Sequence, residues 1–77
     1  MHPDDIKKII EENLQNATAT VKSNDGRHFS INVICPAFAG KSLLQQQRMV
    51  YELLNTQIKN GDIHALTLKT TAGENHP

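Results

Sequence analysis

A chain of 77 residues allows one domain, with a core too modest to enclose a deep catalytic pocket between layers. Eight basic and eight acidic side chains cancel, and Lys7, Lys8, Lys22, Arg27, Lys41, Arg48, Lys59 and Lys69 are scattered among the acids. That excludes the basic surplus that marks strong non-specific nucleic-acid binders.

The lone cysteine, Cys35, excludes an internal disulfide and fits a reducing cytosol. No apolar run approaches a membrane span, and MHPDDIKK does not read as a signal peptide. A soluble, cytoplasmic protein without membrane contact is expected. One Tyr, two Phe and no Trp are too few for an obvious base-stacking platform.

Residues 3 to 15 read as a helix. Pro3 suits a first helical position, and Asp4 and Asp5 favour the positive helix end. Ile6, Ile9, Ile10 and Leu14 recur at helical spacing and form one apolar stripe. ATATVK, residues 17 to 22, alternates as a strand does, and Asp25-Gly26 is a strong hairpin signal. HFSINVIC follows, with Phe29, Ile31 and Val33 on one face and His28, Ser30 and Asn32 on the other.

Pro36 stops that strand, and Ser42 is an expected N-cap. Residues 43 to 59 read as the main helix, with Leu43, Val50, Leu54 and Ile58 along its apolar stripe and Gly61 as its stop. IHALTLKT is the last strand, with His64 in phase with Leu66 and Leu68. Residues 1 to 70 form the expected single domain, and residues 71 to 77, TAGENHP, a disordered tail. The order helix, strand, strand, helix, strand predicts an α+β fold. Its three-stranded mixed sheet has antiparallel first strands, a parallel last strand and helices on one face. The other face, carrying Thr18, Thr20, Ser30 and Asn32, meets water or a partner.

Three pieces of this chain, HFSINVI, FAGKSLLQQQRMVYELL and IHALTLKT, together resemble the BolA family. The matching features are a His-Phe pair opening a strand, Phe-x-Gly-Lys before the long helix, Arg48 followed by Val50 and Tyr51, and the Ile-His-Ala-Leu strand. Each is weak alone; their order and spacing are specific, and they run from about residue 4 to residue 70. The likeness is nearest to short members that lack a C-terminal helix. It implies a class II KH-like fold and two activities. One is association with a monothiol glutaredoxin while sharing a [2Fe-2S] cluster, in iron-sulfur or iron homeostasis or stress regulation. The other is transcriptional regulation through DNA binding. The family is not known as a set of enzymes.

His64 is read two ways. By periodicity it is a strand-end histidine whose ring packs at the core rim and hydrogen-bonds a backbone carbonyl. The resemblance makes it a cluster ligand, and imidazole can replace thiolate on iron in such clusters. The resemblance takes a second ligand from the loop between the first two strands, where His28 is the candidate; the alternative is an exposed histidine beside a turn. Strand parity puts His28 opposite Phe29 and His64 on the core side, so the two converge only if the hairpin twists or bulges near its end.

Cys35 lies at the far end of its strand from His28 and reads as a small buried residue. His2 and His76 lie in ends expected to fray. A [2Fe-2S] cluster needs four ligands, so this chain cannot hold one alone. The resemblance assigns the missing thiolates to a glutaredoxin cysteine and glutathione, with no cofactor on the isolated chain. By itself the chain is expected as a monomer or weak homodimer.

A zinc finger is excluded by the absence of Cys and His pairs at finger spacing. FAGKSL lacks the phosphate-loop spacing, and no Gly-x-x-Gly loop of the nucleic-acid-clamping kind is present. Lys41 and Arg48 are either solvated or contacts for phosphate or a partner's acids near the start of the long helix. No Ser, His and Asp or Cys and His arrangement singles out a nucleophile, so an enzyme is not expected.

Overall fold

α1 spans Pro3–Asn13 and begins on an unusual cap. His2 Nδ1 accepts a hydrogen bond from the Asp4 amide at 3.0 Å, and the Asp5 carboxylate accepts one from the His2 amide at 3.2 Å. Such bonds satisfy donors that the first helical turn leaves open. His2 is therefore held in a cap, not in a frayed end. Ile6 and Ile10 are fully buried. The helix ends two residues before the expected limit, because Leu14 is extended and Asn16 turns the chain at φ 62°, a backbone region that Asn tolerates.

The computed structural model describes residues 1–73, so His76 and residues 74–77 lie outside the described part. β1 (Thr18–Lys22) pairs antiparallel with β2 (His28–Ile34), from Thr18 opposite Ile34 to Lys22 opposite Ser30. β3 (Ala65–Thr71) pairs parallel with β2, from His28 opposite Ala65 to Ile34 opposite Thr71. The sheet order is β1-β2-β3. Thr71, placed in the tail by the sequence, is thus the last rung of a ladder.

Burial alternates along β2 as its sequence demands. Phe29, Ile31 and Val33 point into the core, and His28, Ser30, Asn32 and Ile34 are exposed. Helices cover only the first of these faces, so the sheet is open on the other.

Between β2 and the next helix, a short 3-10 turn at Pro36–Phe38 drives the Phe38 ring fully into the core. Gly40 then adopts φ +80°, which a side-chain-bearing residue rarely takes. Ser42 caps α2 (Leu43–Leu53): its Oγ accepts from the Gln45 amide, and Gln45 Oε1 accepts from the Ser42 amide.

The expected single helix is two. At Leu54 the backbone opens to ψ 7°, and its amide is shared between the Val50 and Tyr51 carbonyls before α3 (Asn55–Lys59) resumes. Asn55 and Thr56 are weak helix formers and do not resist the break. Leu43, expected in the core, is 59 % exposed, because the buried stripe of α2 begins later, at Val50.

Candidate functional site at the leading edge of the parallel strands

β2 and β3 run parallel and in register, so their first residues lie side by side. His28 opens β2 opposite Ala65, the first residue of β3. His64 follows the bend at Asp62 and Ile63 and immediately precedes β3, outside the ladder. Its ring is exposed, not packed on the core side as its phase with Leu66 and Leu68 suggested. Ile63 takes the buried position instead, at 2 % exposure, and the phase slips between Ile63 and Leu66. The ring bond to a backbone carbonyl expected of a strand-end histidine is not found among the described residues; instead the His64 main-chain amide donates to the Arg27 carbonyl at 3.0 Å. The Ala65 amide donates to the same oxygen at 3.2 Å. The segment carrying His64 is therefore tied to the residue that precedes His28.

The consequence is convergence. The ring centroids of His28 and His64 are 6.1 Å apart, at 88° to each other. Strand parity had separated them; parity governs only residues inside a ladder, and His64 is outside it.

The loop of residues 23–27 holds His28 through Asp25. The Asp25 carboxylate accepts from the Arg27 and His28 amides, both at 2.9 Å, while Ser23 Oγ accepts from the Gly26 amide. The second Asp25 oxygen meets His28 Nδ1 at 2.9 Å. These contacts hold the Asp25 carboxyl well below the usual carboxylate range, through the His28 amide first, then the His28 ring and the Arg27 amide. A carboxylate on Nδ1 requires the proton there, which leaves the Nε2 lone pair available to a ligand. Sequence reasoning missed Asp25 as part of the site; its signal was an acid three residues before His28 in a turn.

The other candidate residues lie elsewhere. Cys35 is fully buried, at the opposite end of β2 from His28, and its Sγ contacts the Gln15 carbonyl at 3.6 Å. Among the described residues no cluster of three or more His, Cys, Asp or Glu side chains could hold a metal ion. Lys41 and Arg48 are both exposed and line one shallow groove with Gln45, Met49 and Glu52. That groove runs along α2, on the helical layer, and the histidine pair does not join it. No described helix is long and apolar enough to cross a membrane.

A family model described as BolA-like protein matches residues 3–75. Among solved structures, a bolA protein homologue from Coxiella burnetii is 39 % identical, with a TM-score of 0.79 over 92 % of this chain and 90 % of that one. The BolA domain of SufE1 from Arabidopsis thaliana is 31 % identical, with a TM-score of 0.78 over 91 % of each chain. SufE-like protein 1, chloroplastic/mitochondrial, of Arabidopsis thaliana is 41 % identical over 46 residues, which are 58 % of this chain but only 12 % of that protein. With the expected sheet topology, the expected helices on one face and this match across nearly its whole length, the chain belongs to the BolA-like protein family.

Proposed function

We propose that this protein is a binding partner, not an enzyme, and that it shares a [2Fe-2S] cluster with a monothiol glutaredoxin in iron-sulfur or iron homeostasis. The observation that carries the reading is the meeting of His28 and His64 at one exposed edge, with Asp25 fixing the His28 tautomer. The likeness to the BolA domain of SufE1 supports an iron-sulfur setting.

The donor set fits such a group. Two imidazoles bonded to one tetrahedral metal at about 2 Å each hold their ring centroids about 5 Å apart. The observed 6.1 Å is wider by about one ångström, which small side-chain rotations of two exposed rings can close. His28 and His64 would hold the cluster from this chain, and imidazole in place of thiolate would raise its reduction potential. With Cys35 buried and remote, the thiolates come from the partner's cysteine and glutathione.

The test mixes this protein with a monothiol glutaredoxin, glutathione, iron and sulfide, and records visible absorption and circular dichroism. The expected spectrum differs from that of the glutaredoxin homodimer and is lost in His64→Ala. A spectrum unchanged by His64→Ala removes the assigned role of that residue.

A second reading, a DNA-binding regulator, draws on Lys41 and Arg48 lining one groove. Glu52 in the same groove and the neutral total charge weaken it. It requires duplex affinity that falls steeply with salt; no shift of duplex DNA at low salt rejects it.

A further inference from the structure

The sheet face left open by the helices has a chemistry of its own. Its outward positions are Thr18, Thr20 and Lys22 on β1, His28, Ser30, Asn32 and Ile34 on β2, and Ala65, Thr67, Lys69 and Thr71 on β3. None is acidic, and the one ring among them is the His28 imidazole at the end of the face. A shallow cleft is lined there by Thr20, Lys22, Ser30, Asn32, Thr67 and Lys69. A second cleft shares Lys22, Ser30 and Thr67 with it and reaches His28. Through those shared residues the two adjoin as one trough that ends at His28.

Neither Lys22 nor Lys69 has a carboxylate within salt-bridge distance among the described residues. This contrasts with Lys7 and Lys8, which are paired with Glu11 and Glu12. Lys22 lies in the row of Ser30 and Thr67, and Lys69 in the next row, with Thr20 and Asn32. Two strand spacings across and two residues along put these lysines about 12 Å apart.

We infer that this trough docks an extended acidic segment of the protein that completes the cluster site. Acidic residues four positions apart in an extended segment point the same way and stand about 13 Å apart, which matches the lysine spacing. Hydroxyl and amide side chains between the lysines supply hydrogen bonds to the segment's polar groups. A single-stranded nucleic acid is a poorer occupant, because such strands bind on platforms of several stacked aromatic rings and this face carries no Phe, Tyr or Trp.

The inference deepens the cluster-sharing reading and rests on it for the identity of the partner, but its test does not need a cluster. The probe is a capped Glu-Thr-Thr-Thr-Glu peptide titrated into nitrogen-15-labelled protein, beside a neutral Gln-Thr-Thr-Thr-Gln peptide and a short oligothymidine. The acidic peptide is expected to shift the amides of Thr20, Lys22, Ser30, Thr67 and Lys69, with affinity lost as ionic strength rises. Lys22→Glu combined with Lys69→Glu, both at exposed positions, is expected to keep the dispersed spectrum of a folded protein. It should weaken the peptide by about tenfold or more.

In the glutaredoxin mixture the same double variant should require more partner to reach the full cluster spectrum. Absence of shifts on these strands, equal shifts with the neutral peptide, or tighter binding of the oligothymidine to the same residues overturns the inference. Each leaves a His64-dependent cluster spectrum standing. Shifts on these strands without any cluster spectrum support the docking face and reject the cluster reading instead.

Discussion

His64 and His28 are each unremarkable alone, since both are exposed histidines at strand beginnings. Their value comes from Asp25, which organises the loop and selects the His28 nitrogen left for a ligand. Carboxylates behind a ligating histidine carry about 10- to 100-fold in metal affinity. In the cluster-sharing reading, Asp25→Ala is therefore expected to release the cluster to a chelator about 10- to 100-fold more readily than wild type. The measurement is a chelator titration followed by visible absorption.

The depressed Asp25 carboxyl sets a pH window. Its hold on the loop is complete above the ordinary aspartate value of 3.8 and disappears only as pH falls through the lower folded-state value. The Arg27 and His28 amide resonances are expected to stay in place through the range where a free aspartate titrates, and to move only below it. The candidate histidines were legible as residues, because the motif pieces carry them. Their meeting was not, since alternation was applied to His64 as though it stood inside the strand.

Single elements show how local chemistry is spent on joints between layers. Glu11 accepts from Lys7 Nζ at 2.7 Å and from the Ala19 amide at 2.9 Å, while Lys7 also donates to the Ala19 carbonyl at 2.8 Å. Two side chains of α1 thus complete the hydrogen bonding of β1 where it has no neighbouring strand. The Ala19 amide, then Lys7, lower the Glu11 carboxyl. The stability it contributes is present above the ordinary value of 4.5 and is lost as pH falls through its depressed folded value. Glu11→Gln is expected to lower stability at neutral pH and to remove that share of the acid sensitivity, as read from urea midpoints across pH.

At the start of α2, Ser42→Ala removes a reciprocal cap and is expected to destabilise the protein by about 1 kcal/mol, measured by the same titration. The cap was readable from Ser42 and the helical run behind it. Two glutamines of that run bond to distant partners. Gln46 binds the Lys41 carbonyl and the Thr70 hydroxyl, and Gln47 reaches the Leu68 carbonyl. These partners are more than twenty residues away for Thr70 and Leu68, so no local pattern announces them.

At the scale of the molecule, one core holds both layers: Ile6 and Ile10 of α1, Phe29, Ile31 and Val33 of β2, Val50 of α2, and Phe38 between the last two. Phe38 is fully buried and belongs to no long element, so it pins the crossover against both. Phe38→Ala is expected to cost about 3–5 kcal/mol. For a domain whose total stability is about 5–15 kcal/mol, that leaves a substantial unfolded fraction, visible as a collapsed urea midpoint. The topology was legible because period-2 and helical patterns alternate cleanly along the chain. The break at Leu54 and the exposure of Leu43 were not, because they follow from where α2 meets the sheet and not from its own periodicity.

The shared Arg27 carbonyl has a further consequence. It receives the consecutive amides of His64 and Ala65 at the entry to β3, so the two loops that present His28 and His64 are strapped to one atom. Neither loop can peel open without releasing the other, and hydrogen exchange at the His64 and Ala65 amides should follow a single opening event. A partner then meets the two rings already assembled, and little ordering entropy is left for it to supply on arrival.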